Sequence, residues 1–139
     1  MSSVTRDSEA LPRYRGAWLT LGWAMALLVA LGSLWPGAPQ VAAGMSDKFL
    51  HFAAYAGLAF MFAGVTGRAH WARVLVGLLL FGGAIEVMQE QLTATRGGEW
   101  LDMAANAAGV AAGIFTATLF PRSWCREVEV VIGLDGGAR

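Results

Sequence analysis

The sequence predicts an all-α integral membrane protein, a four-helix bundle with short polar tails, and three observations predict it. The first is composition: 56% of the 139 residues are hydrophobic and 14% are charged, whereas a soluble domain carries roughly a quarter charged residues. The second is distribution, because the apolar residues gather into four runs, each near the roughly 20 residues that a bilayer span requires. The third is punctuation: Pro36 and Pro121, with Trp35, Trp71, Trp100 and Trp124, fall at the ends of these runs, as helix-stopping prolines and interfacial tryptophans do. The length suits one domain, residues 1–139.

The first helix is expected over 16–35. It holds no charged residue, follows Arg13 and Arg15, carries Trp18 near its start and stops at Pro36, where the ring and the missing N–H disfavour continuation. Basic residues, an apolar stretch and the small residues Val41, Ala42 and Ala43 imitate a secretory signal. The stretch exceeds the about 7 to 15 apolar residues of such a signal, so it reads as a retained helix. The second helix, 49–66, opens after Ser46 and Asp47, both good N-cap residues, and ends near Gly67. The third begins at Trp71 or Ala72 and spans 72–88, with Glu86 near its end. The fourth, 100–120, carries Asp102 and Asn106 near its start and stops at Pro121. Residues 1–12 and 126–139 read as short polar tails. In the latter Val128, Val130, Val131 and Ile132 suit a brief strand without requiring one.

Charge excludes some functions and orients the chain. Ten basic residues balance ten acidic ones, so no broad basic surface is available to nucleic acid. The single cysteine, Cys125, has no partner for an internal disulfide and no Cys or His neighbours for a zinc site. Short connections rich in Lys and Arg stay in the cytoplasm. With the N-terminus inside, Arg6, Arg13, Arg15, Arg68, Arg73, Arg122, Arg126 and Arg139 are cytoplasmic, and Lys48 and Arg96 alone lie outside. Both termini are therefore expected in the cytoplasm, with the connections 36–48 and 89–99 opposite.

This topology brings the start of the second helix, the end of the third and the start of the fourth to one leaflet. At about 100° per residue, Asp47, Lys48, His51 and Tyr55 fall within one arc of roughly 100°, and Asp102, Asn106, Gly109 and Gly113 within roughly 60°. Glu86 and Gln89 are neighbours at i, i+3, with Arg96 and Glu99 in the connection above. Ionisable groups at membrane depth face a bundle interior, a partner or a wet cavity, and Gly82, Gly83 and Ala84 beside Glu86 permit close helix approach. Each residue also has a plain structural role open to it. Glu86 could pair with Lys48 or Arg96, His51 could be a bonded helix-end histidine, and Asp102 suits a helix N-terminus. Asn106 could bond between helices, and Gly109 with Gly113 could serve internal packing or a homo-oligomer contact.

Together, Asp47-Lys48-x-x-His51-Phe52-x-x-Tyr55, then Glu86-x-x-Gln89, then Arg96-Gly97-Gly98-Glu99-x-x-Asp102-x-x-x-Asn106-x-x-Gly109 resemble the VanZ-like family of small bacterial membrane proteins. The likeness covers about residues 47–113 and rests on the order and spacing of the blocks. Glu99 and Trp100 stand where the family often has a serine or another small residue shortly before the aspartate. The resemblance implies a multi-pass protein of the bacterial inner membrane, in a family linked to reduced susceptibility to the glycopeptide teicoplanin, and brings no settled mechanism.

Two functions of different class follow. In the first, the cluster binds a membrane lipid headgroup or lipid-linked envelope precursor: Lys48 and Arg96 engage phosphate, Tyr55, Gln89 and Asn106 supply directional bonds, and Glu86 and Asp102 orient the cations. In the second, His51 and Glu86, with Asp102 as a further candidate, act as acid and base on a lipid-linked substrate. A structural or assembly role is the remaining possibility. No cofactor is expected and no metal is assigned, although His51, Glu86 and Asp102 would suit a hard divalent ion better than zinc. A closed network with every polar group paired would favour the structural role, and an open cavity beside His51 and Glu86 would favour binding.

Overall fold

A backbone in hydrocarbon must bond its own N–H and C=O groups, and helices do this within one segment. The computed structural model describes residues 11–35, 45–92, 100–120 and 123–134, and among them the chain is helical, with no strand. The elements are α1 (Arg15–Leu34), α2 (Met45–Thr66), a 3₁₀ turn (Arg68–His70), α3 (Trp71–Leu92), α4 (Trp100–Thr118) and α5 (Trp124–Val131). Three stretches, Arg15–Leu34, Asp47–Thr66 and Arg68–Gln91, are long and apolar enough to cross a membrane. The fourth expected span, α4, forms a helix but does not join these three, because Asp102, Asn106 and its glycines and threonines dilute its hydropathy.

Two boundaries move the site residues. Helix α2 starts at Met45, so Asp47 occupies its first turn and is not its cap. Helix α3 runs on to Leu92, so Glu86 lies about two turns from its end and Gln89 is helical. The expected polar tail is a larger correction. Trp124–Val131 forms α5, whose N-cap Ser123 accepts a hydrogen bond from the Arg126 N–H. Its residues Trp124, Cys125 and Val128 share one face at helical spacing, which overrides the strand preference of the valines.

Helix α2 is the centre of the arrangement, touching α1, α3, α4 and α5, with its broadest contact on α4. A Cβ on Gly109 would collide with the Phe52 carbonyl oxygen, and one on Gly113 with that of Ala56. Small residues thus let two backbones meet, and this glycine face is used inside the chain. Around Tyr55, Leu58, Ala59 and Val110 the core draws on α1 through Ala26 and on α3 through Leu78.

The exterior is apolar. Trp23, Leu28, Leu80 and Phe115 are 64%, 68%, 70% and 67% exposed, whereas His51, Glu86, Gln89, Asp102 and Asn106 are buried. That inverts the pattern of a soluble surface and suits contact with lipid tails.

At one end α5 closes the structure. Trp124 stacks on Phe60 at 4.8 Å and meets the Trp18 ring edge-on at 5.4 Å. Its indole N–H donates to the Phe60 carbonyl at 2.8 Å, and the Ser123 hydroxyl donates to the Gly64 carbonyl. The fully buried Glu129 carboxylate accepts from the Arg13 and Tyr14 N–H groups at 2.6 and 2.9 Å and from the Trp18 indole at 2.9 Å. It thereby satisfies donors at the start of α1, which no local side chain caps.

Candidate functional site

The other end gathers the polar residues. On α2, Lys48, His51 and Tyr55 stand at i, i+3 and i+7, and on α4, Asp102, Asn106 and Gly109 at i, i+4 and i+7, so each helix turns one polar stripe toward the other. Lys48 Nζ donates to Asp102 Oδ1 at 2.8 Å. One turn deeper, His51 Nδ1 lies 3.1 Å from Asn106 Oδ1, the geometry of a ring N–H donating to the amide oxygen. The same Nδ1 is 3.8 Å from Glu86 Oε1. Gln89 Nε2 donates to the Ser33 carbonyl at 2.8 Å, tying α3 to the end of α1. A Cβ on Gly82 would come within 3.1 Å of Asn106 Nδ2 and 3.2 Å of the Tyr55 hydroxyl, so its absence lets α3 close on both.

The network is paired in part. Two buried polar atoms, the Tyr55 hydroxyl and Glu86 Oε1, have no hydrogen-bond partner among the described residues. Tyr55 is 1% exposed and Glu86 7%. Leaving such a group unsatisfied costs about 1–3 kcal/mol.

Glu86 also borders a cleft of about 450 Å³ between α3 and α4. Gly83, Glu86, Val87 and Glu90 supply one wall and Trp100, Met103 and Ala104 the other. These fall at i, i+3, i+4, i+7 and at i, i+3, i+4, so the cleft is the space between one face of each helix. Glu86 thus stands where the polar cluster meets the cleft.

Of the residues singled out by sequence, Asp47, Lys48, His51, Tyr55, Glu86, Asp102 and Asn106 converge. Gln89 reaches toward α1 instead, while Arg96 and Glu99 lie outside the described residues. Glu86 faces His51, and it is Asp102 that takes Lys48. Glu90, Trp100 and Met103 were missed, although their helical spacing from Glu86 and Asp102 was readable. Asp47, His51 and Asp102 offer ligand atoms within 4.8 Å of one another, a different trio from His51, Glu86 and Asp102. The Lys48 ammonium on Asp102 already supplies positive charge there. Comparison with family models, with characterised proteins and with solved structures finds no match for the chain.

Proposed function

We propose that the chain is a VanZ-like protein of the bacterial cytoplasmic membrane, a four-helix bundle with both termini in the cytoplasm. In this reading its extracytoplasmic end binds an envelope lipid or lipid-linked precursor. The observation that carries the binding role is Glu86, a cleft-lining residue whose buried Oε1 has no hydrogen-bond partner among the described residues. A bound donor would satisfy it, and exposed apolar residues beside it, Val87 and Met103, suit an acyl chain. The asymmetry of Lys and Arg supports the orientation. Lys48, held by Asp102, then acts in an organised charge pair instead of a lone phosphate anchor.

Native mass spectrometry of protein purified from membranes tests this. A lipid adduct is expected, lost in Ala104→Trp, whose side chain fills the cleft. A folded wild type that carries no lipid, or an adduct indifferent to Ala104→Trp, contradicts it.

One observation favours a second reading, an acid–base enzyme on a lipid-linked substrate. His51 and Glu86 lie 3.8 Å apart beside the cleft, within the loose range that catalytic pairs show before substrate binds. Turnover of a polyprenyl phosphate or phospholipid by wild type, and its loss in His51→Ala, would support that reading. If the folded His51→Ala protein retains its full cellular effect, that reading fails.

A further inference from the structure

The geometry points to a particular lipid for the cleft between α3 and α4: a phospholipid whose headgroup ends in a primary ammonium. This rests on the lipid-binding reading and names the chemistry of its ligand.

The charged residues lining the cleft are both carboxylates, Glu86 and Glu90, and no Lys or Arg lines it among the described residues. An anionic headgroup would meet repulsion there, while a cationic one finds complementary charge. The two glutamates are four residues apart on one face of α3, Glu86 buried and Glu90 exposed, so they bracket the cleft from floor to rim.

Hydrogen bonding narrows the choice further. Glu86 lines the cleft, and its buried Oε1 has no hydrogen-bond donor among the described residues. A primary ammonium brings three N–H donors, enough for both glutamates at once, whereas a trimethylammonium brings charge and no donor. At the rim Trp100 is 76% exposed and offers an aromatic face to a cation. Val87 and Met103, 53% and 48% exposed, continue the cleft onto the apolar exterior, where the acyl chains would lie. The volume of about 450 Å³ falls among small-ligand pockets.

The test is competition in native mass spectrometry among phosphatidylethanolamine, its N-methylated series through phosphatidylcholine, and phosphatidylglycerol, all with the same acyl chains. Phosphatidylethanolamine should be retained about tenfold over the other two end members, the worth of one charge-assisted hydrogen bond. Retention should fall stepwise with methylation. Glu86→Gln should remove the preference and Glu90→Gln should reduce it. Should Glu86→Gln fail to fold, the methylation series on wild type and Glu90→Gln still decide. Lipids bound equally, or phosphatidylglycerol preferred, would overturn the ammonium assignment and leave lipid binding standing. If no lipid is retained above the level of Ala104→Trp, the lipid-binding reading fails and this one with it.

Discussion

His51 Nδ1 lies 3.1 Å from Asn106 Oδ1 and 3.8 Å from Glu86 Oε1, so one ring nitrogen joins the α2–α4 interface to the cleft between α3 and α4. A ring N–H given to Asn106 leaves Glu86 Oε1 without a hydrogen-bond donor among the described residues. Asn106→Leu should redirect His51 to Glu86 and so satisfy that oxygen internally. Lipid retention in native mass spectrometry is then expected to fall several-fold, as one bound donor is displaced, while circular dichroism stays unchanged.

The Lys48 to Asp102 bond predicts non-additive stability. Removing Lys48 leaves a buried carboxylate uncompensated, and removing Asp102 strands an ammonium that is partly buried. A double-mutant cycle with Lys48→Met and Asp102→Asn, followed by thermal unfolding in detergent, should return a coupling of about 1–2 kcal/mol. Strict additivity would remove the pair from the account of the site.

The glycine contacts separate close packing from mere glycine content. Gly109→Ala and Gly113→Ala each push a methyl into an α2 carbonyl oxygen and should cost about 1–3 kcal/mol. Gly77→Ala, with nothing within 4 Å of the added carbon, should be neutral or slightly stabilising. Unfolding temperatures of the three variants check the contrast.

Glu129 sets an acid limit on the docking of α5. Burial would raise its pKa, but the Tyr14 and Arg13 N–H groups, the Trp18 indole and the nearby Arg126 charge outweigh burial and hold it below 4.5. The depressed value means that the bonds add their full stability above the ordinary glutamate pKa and lose it as pH falls through the folded-state value. Unfolding temperature should therefore drop on acidification below about 4.5, and Glu129→Gln should flatten that drop while costing about 2–4 kcal/mol at pH 7.

Cys125 reports the same docking. Burial first, then the Glu129 carboxylate, push its thiol up to about 12 against a lowering backbone hydrogen bond. Folded protein should resist maleimide at pH 8, and Glu129→Gln should label faster as α5 loosens.

Helix positions and the polar convergence were legible because apolar runs and 3.6-residue stripes are properties of sequence. Asp47, Lys48 and His51 could be placed opposite Asp102 and Asn106 before any coordinates. The pairing was not legible: sequence places Lys48 and His51 on one stripe of α2, and only the packing of α3 and α4 against it sets Lys48 on Asp102 and His51 near Glu86. Helix α5 was missed because Val128, Val130 and Val131 favour extended backbone, and because the docking of Glu129 onto the start of α1 joins residues more than a hundred positions apart. The Ser123 cap and the Cys125 to Glu129 spacing were the available signals. The cleft escaped notice because its walls are mostly apolar and looked like ordinary lipid-facing surface.

A lipid site between α3 and α4, marked by a Glu86 Oε1 that has no hydrogen-bond donor among the described residues, is tested most directly by a structure of the protein in native-lipid nanodiscs. The account predicts headgroup density against Glu86 Oε1, continuing into acyl density along Val87 and Met103. An empty or collapsed cleft, with Glu86 bonded to a side chain of its own chain, would contradict it.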